Sequence, residues 1–188
     1  LEADASFPQK LVDARPDFVF NIAEGLYGPN REGHVPAICE FYGIPCHASD
    51  PLTLGLALHK GRAKEVMVAR GVPTAPFRIA ESVADAAACT LPFPLFVKPA
   101  HAGDSLGIDA RSRVWTVDEL RAKVAETLPD YPELLVEQYI DGRELTCLVI
   151  SDPEAHGQVR AFRPVEWVFD SEPRFKTYAH KTSELHPD

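Results

Sequence analysis

Lys98 closes the apolar run FPLFVK (93–98) and is followed by Pro99, Ala100 and the loop HAGDSLG (101–107). In that loop Gly103 and Gly107 flank Asp104 and Ser105. Glycines let a backbone come close to an anion and turn its N–H groups toward it. A strand-end lysine followed by such a loop has two readings, an ordinary hairpin and a phosphate clamp. The spacing is not G-x-x-x-x-G-K-[ST], so a Walker-type site is excluded. Lys60 is a second cation of interest. It sits where a helix should begin, and there the helix dipole disfavours a positive charge. An anion brought to that point would be held by both the ammonium and the free N–H groups. The alternative is a solvated helix lysine, for which Lys64, one turn on, is the comparison. Glu137 ends the run LLVE, and Glu144 follows the turn DGR. These carboxylates are either solvated or accept hydrogen bonds from a ligand's amino and hydroxyl groups. Gln138, Tyr139 and Ile140 between them could line an apolar slot for a flat base.

These residues need elements to hold them. The segment DFVFNI (17–22) reads as a buried-type strand, and AEGLYGPNREG (23–33) as a loop. Val35, Ile38, Cys39 and Tyr42 fall at helical spacing, with Pro36 in the first turn and Gly43 just past the end. IPCHAS (44–49) follows as a second short strand. Strand, loop, helix and strand in that order predict a parallel unit. One such unit cannot cover both faces of a sheet, so further strands are expected before residue 1. Residues 50–71 are expected to start with a turn and end in a helix stopped by Gly71. Its packed face would carry Ala63, Val66, Met67 and the stem of Arg70.

VPTAPFRI (72–79) must be extended because of its two prolines. Ser82 with Asp85 predicts an N-cap. Thr116 with Glu119 predicts a capping box for a helix facing inward with Val117, Leu120 and Val124. FPLFVKP (93–99) and ELLVEQYI (133–140) are strands. LTCLVIS (145–151) and QVRAFRPVEWVF (158–169) are two more, long enough to pair antiparallel. The tail from Arg174 is polar and aperiodic, hence a loop.

Composition narrows the function classes. A hydrophobic fraction of 45% and a charged fraction of 25% over 188 residues are those of a globular protein. No apolar run approaches the ~20 residues that span a bilayer. The first ten residues lack the pattern of a signal peptide. A net charge of −9 argues against a general nucleic-acid binder. A few converging lysines can still hold an anionic nucleotide. The four cysteines form no C-x-x-C, and the seven histidines show no zinc-binding spacing. A reduced, cytoplasmic protein without a metal site of its own is expected.

Taken together, DFVFNIAEGLYG, REGHVPAICEFYGIPCHAS, LALHKGRAKEVMVARGVPTAPF, FPLFVKPAHAGDSLGI and LLVEQYIDGRELTCLVI resemble, in order and spacing, the ATP-grasp ligases. The closest resemblance is to the D-alanine–D-alanine ligases, and it covers nearly the whole chain. It implies an α/β and α+β architecture. Residues 1–53 would be the remainder of a Rossmann-like domain, 54–140 the small ATP-grasp lobe, and 141–188 the start of the large lobe. It also implies an ATP-dependent carboxylate–amine ligase working through an acyl phosphate in peptidoglycan precursor synthesis.

By the same resemblance Lys60 and Lys98 contact the nucleotide phosphates, and the loop with Gly103, Asp104, Ser105 and Gly107 covers them. Glu137, Gln138, Tyr139 and Ile140 form the adenine hinge, and Glu144 binds the ribose. Lys181 reaches the terminal phosphate, and Glu32 lines the substrate side. Mg²⁺ is implied, with its protein ligands expected beyond Asp188, so the chain by itself is expected to be inactive. A small amino-acid substrate is the implied partner, with neither nucleic acid nor membrane, and a homodimer is one assembly open to it. Two positions depart from the family pattern: Asp104 stands where serine is usual, and Thr182 where tyrosine is usual. They point to a rival reading, an ATP-grasp ligase with other substrates. A non-catalytic ATP-binding module is a third.

Overall fold

The computed structural model describes residues 1–151, 158–169, 175, 177 and 178. Helix α1 (Phe7–Ala14) buries Phe7 and Leu11. Strand β1 (Val19–Phe20) runs parallel to β2 (Cys46–His47), Val19 opposite Cys46. Both are much shorter than the sequence pattern suggests. The helix between them, α2 (His34–Phe41), follows a 3₁₀ turn at Arg31–Gly33. It buries Val35 and Cys39 against α1. The expected parallel unit is therefore present. Burial pushes the Cys39 thiol up to about 11, with Cys46 beside it adding to the effect. All four cysteines are free thiols.

Residues 50–71 depart from expectation in two ways. The predicted turn is a helix, α3 (Pro51–Leu58), capped by Asp50, whose carboxylate accepts from the Thr53 N–H at 3.0 Å. Proline at the first helical position and a capping aspartate are a helix-start signal. The expected domain boundary at 53/54 falls inside this helix. After a break at His59, α4 runs Lys60–Ala69. Its buried residues are Gly61 and Lys64, whereas Val66 and Met67 are exposed. The apolar residues of α4 do not mark its packed face. A lysine does, because its partner is a carboxylate on the sheet.

That sheet has four antiparallel strands: β3 (Phe77–Ala80), β4 (Leu95–Pro99), β5 (Arg113–Val114) and β6 (Leu134–Gln138), in the order β3-β6-β4-β5. Side chains alternate across a strand. Leu95 and Val97 of β4, with Leu134 and Val136 of β6, face one way into a core closed by α5 (Val83–Ala87) and α6 (Val117–Thr127). Ser82 caps α5 as expected, accepting from the Asp85 N–H at 3.1 Å. Thr116 caps α6, but the Glu119 carboxylate bonds the Trp115 N–H at 2.8 Å, one residue before the capping-box position. Leu120 and Val124 are buried and Val117 is exposed. The register Phe96 to Glu137 and Lys98 to Leu135 puts these four residues on the opposite face, toward α4.

Beyond the hinge, each of the two expected long strands is broken in two. Strand β7 (Glu144–Thr146) pairs with β10 (Val165–Trp167), and β8 (Val149–Ser151) with β9 (Val159–Ala161), all antiparallel. Pro164, which lacks an N–H donor, separates the two pairings on the second segment. Leu145, Val149, Val159 and Val165 on these ladders are exposed. No helix among the described residues is long and apolar enough to cross a membrane.

Candidate nucleotide-phosphate site

The site grows from the polar face of the sheet. Glu137, next to last on β6, places its carboxylate 2.5 Å from Lys98 Nζ and 2.7 Å from Lys64 Nζ. Lys98 reaches it from the neighbouring strand, Lys64 from α4. Lys64 also donates to Thr74 Oγ1 at 2.7 Å and lies over the Phe77 ring, 5.4 Å from its centroid. Lys64 is thus no solvated comparison for Lys60, but a buried member of the site. Burial alone would raise the Glu137 carboxyl. The charges of Lys98 and Lys64 outweigh it and hold the group below the ordinary carboxylate range. Its contribution to stability is full above the ordinary carboxylate pKa and is lost as pH falls through the lowered one.

Lys60 opens α4, where its N–H donates to the Ala100 carbonyl at 2.9 Å. Its ammonium donates to the Ala102 carbonyl at the root of the loop. Burial, then the nearby Lys98 charge, pull the Lys60 ammonium down to about 8, against the pull of Glu32. An ammonium so placed is poised to gain an anion.

The loop itself is bent by left-handed residues. Asp104, Ser105 and Gly107 have φ of 47°, 60° and 73°. Asp104 and Ser105 pay a steric cost that glycine would not, aspartate less than most residues. Gly107 is required twice over, since a Cβ there would also lie 2.6 Å from Pro99 Cγ. Turn bonds from Leu106 N–H to Gly103 and from Ile108 N–H to Ser105, both 3.0 Å, close the loop. Lys60, Lys98, Gly103, Asp104, Ser105 and Glu32 line one cleft of about 310 Å³. Two cations and a strained turn beside such a cleft can hold a phosphate-sized anion; Asp104 and Glu32 temper its positive charge.

The other predicted residues lie to the side. The N–H groups of Gln138 and Tyr139 donate to the carbonyls of Pro76 and Pro94 at 2.9 and 3.0 Å, which fixes the path of the hinge. The Tyr139 ring stacks with Phe96 at 6.1 Å and takes the Arg113 guanidinium at 5.2 Å, an aromatic floor next to Lys98. Ile140 is exposed. Glu144 opens β7 opposite Trp167, on a separate ladder. Lys181 and Thr182 lie outside the described residues. Sequence reasoning missed Arg31, which donates to the His101 carbonyl at 3.0 Å and lies 3.8 Å from Glu32. It also missed Glu24, whose carboxylate would meet a Cβ on Gly103 at 3.0 Å. Neither carries a local signal, because each lies against a loop far away in sequence.

Comparison with known proteins gives the same direction. A family model described as the D-Ala–D-Ala ligase C-terminus matches residues 67–186. A D-alanine–D-alanine ligase of Xylella fastidiosa is 35% identical over 85% of this chain and 53% of its own length. One of Ruegeria pomeroyi is 35% identical over 81% of this chain and 47% of its own. Among solved structures, the VanG D-Ala:D-Ser ligase of Enterococcus faecalis superposes with a TM-score of 0.66 at 29% identity, over 80% of this chain and 43% of its own. The chain thus spans about half the length of the curated relatives it matches. The D-alanyl-alanine synthetase A of Vibrio cholerae, TM-score 0.67 at 22% identity, shares the fold.

The Glu137 bridge makes a stability prediction. In the full-length protein Glu137→Gln leaves two ammonium groups facing a neutral amide and costs about 3–5 kcal/mol by urea unfolding. The double variant Glu137→Gln/Lys64→Met recovers part of that loss. A single variant as stable as the parent would show the bridge to be idle.

Proposed function

The chain belongs to the D-alanine–D-alanine ligase family, and from that membership we propose that its protein joins a carboxylate to an amine at the expense of ATP. The observation that carries this reading is the convergence of Lys60 and Lys98 with the 101–107 turn on one cleft. Phosphoryl transfer needs positioning and charge neutralisation more than covalent chemistry from the protein. Lys60 and Lys98 supply the charge, and Glu137 keeps Lys98 in place. The loop shields the reacting groups, since an acyl phosphate must meet the amine before water. Lys181 is assigned to the terminal phosphate and Glu32 to the amino-acid side. Gln138, Tyr139 and Ile140 are assigned to the base, and Glu144 to the ribose.

The family implies Mg²⁺, a hard cation that takes oxygen ligands in an octahedral array. Asp104 and Glu32 share their cleft with two ammonium groups, a donor set that does not fit the ion by itself. No step is assigned to it. The proposed amino acid is D-alanine in both positions, the product a dipeptide for peptidoglycan precursors. A cytoplasmic setting goes with ATP as substrate and with four free thiols. A second reading, another amino-acid pair, is favoured by Asp104, a carboxylate in a cleft meant for phosphates.

The deciding measurement is ADP release by full-length protein given ATP, Mg²⁺ and D-alanine. Release above the no-amino-acid control is expected; its absence, with release on D-alanine plus D-serine or another pair, would give the second reading. Lys98→Ala is expected to weaken ATP-analogue binding by about 1.5–3 kcal/mol, the worth of a charged hydrogen bond; unchanged affinity would return the loop to a plain hairpin. Lys60 sets a pH dependence. Its ammonium deprotonates near pH 8 in the free protein, so analogue affinity should fall as pH rises through 8, and binding near that pH should take up a proton. Calorimetry in two buffers of different ionisation enthalpy would register it.

A further inference from the structure

Outside the lining of the phosphate cleft, His59, His101 and Glu133 bring one donor atom each to within 4.8 Å of one another. We propose that these three residues form a site for a zinc-class divalent transition ion, which ties the root of the 101–107 loop to the sheet.

Two donor distances can be set against the geometry of a bound ion. His101 Nδ1 lies 3.3 Å from Glu133 Oε2, and His59 Nε2 lies 3.9 Å from Glu133 Oε1. Ligands at ~2.0–2.1 Å in a tetrahedron stand about 3.3 Å apart. One pair is already at that distance; the other, made to the second oxygen of the same carboxylate, stands at 3.9 Å and has to shorten. The two imidazoles lean together, ring centroids 4.2 Å apart and tilted by 48°. Two imidazoles and a carboxylate suit zinc, cobalt or nickel and not magnesium, which prefers oxygen. The set leaves one position for water or an anion.

A second observation concerns His59 itself. Its Nδ1 is a fully buried polar atom with no hydrogen-bond partner among the described residues. Its Nε2 is too far from Glu133 for a hydrogen bond. Nε2, the nitrogen that faces Glu133, therefore makes no hydrogen bond to it that an ion would have to displace, and coordination there leaves Nδ1 as it is.

Backbone hydrogen bonds hold the three residues in place before any ion arrives. The Lys60 N–H donates to the Ala100 carbonyl, and the Ala100 N–H to the Glu133 carbonyl, both at 2.9 Å. Each proposed ligand is on this chain of bonds or one residue from it. His59 precedes Lys60, and His101 opens the loop over the cleft. An ion there would fix the spacing between α4 and the loop, and with it the cleft that Lys60 and Lys98 line.

The test is a titration of nucleotide-free, chelator-free full-length protein with CoCl₂ and with ZnCl₂. One ion per chain is expected, with the visible ligand-field absorption of four- or five-coordinate cobalt, and MgCl₂ should not compete. His101→Ala and Glu133→Gln, both partly exposed side chains, should each weaken binding at least tenfold. Zinc should slow amide hydrogen exchange over 101–107 in the parent and not in His101→Ala. Undiminished binding in both variants would mean that other histidines take the ion, and absence of binding would mean that the cluster is only packed side chains. Either result overturns the proposal.

Discussion

Between a strand and a helix, the Glu137 carboxylate neutralises two ammonium groups at once, Lys98 at 2.5 Å and Lys64 at 2.7 Å. All three side chains are mostly buried, and in that position an uncompensated charge is costly. The pairing therefore does two things at once. It seats α4 on the sheet through Lys64, in place of the apolar stripe that a surface helix normally uses. It also anchors Lys98 where it lines the cleft.

The alternation of the strands makes this arrangement possible. One face of β4 and β6 carries Leu95, Val97, Leu134 and Val136 into a core shut by α5 and α6. The other carries Phe96, Lys98, Leu135 and Glu137. The apolar core thereby lies on one side and the paired charges on the other. A one-residue slip in the β4–β6 register would put the lysine into the apolar core. The core thus sets the direction in which Lys98 points.

The loop depends on the same frame. Ala100 links the end of β4 to Lys60 on one side and to Glu133 on the other through its two backbone groups. Arg31, from the N-terminal parallel unit, adds a bond to His101. The 101–107 turn therefore springs from a point where helix, sheet and N-terminal unit meet. At its far end the turn comes so near the end of β4 that a Cβ on Gly107 would lie 2.6 Å from Pro99 Cγ.

The sequence by itself determined the element types along most of the chain, the caps at Ser82 and Thr116, the parallel unit, and the motif order that resembles ATP-grasp ligases. Those features are local: capping, alternation and turn chemistry act over a few residues. Residues 51–58 form a helix rather than the expected turn, in keeping with Asp50 and Pro51 at its start, and α4 buries Lys64 rather than Val66 and Met67. Only the tertiary structure decided that Lys64 is inside, that Glu137 serves two lysines, and that Arg31 and Glu24 lie against the loop. Each of these is a charged residue set against another element of the fold. Desolvation and pairing between such groups depend on distances in space, and residue spacing along the chain carries no record of them.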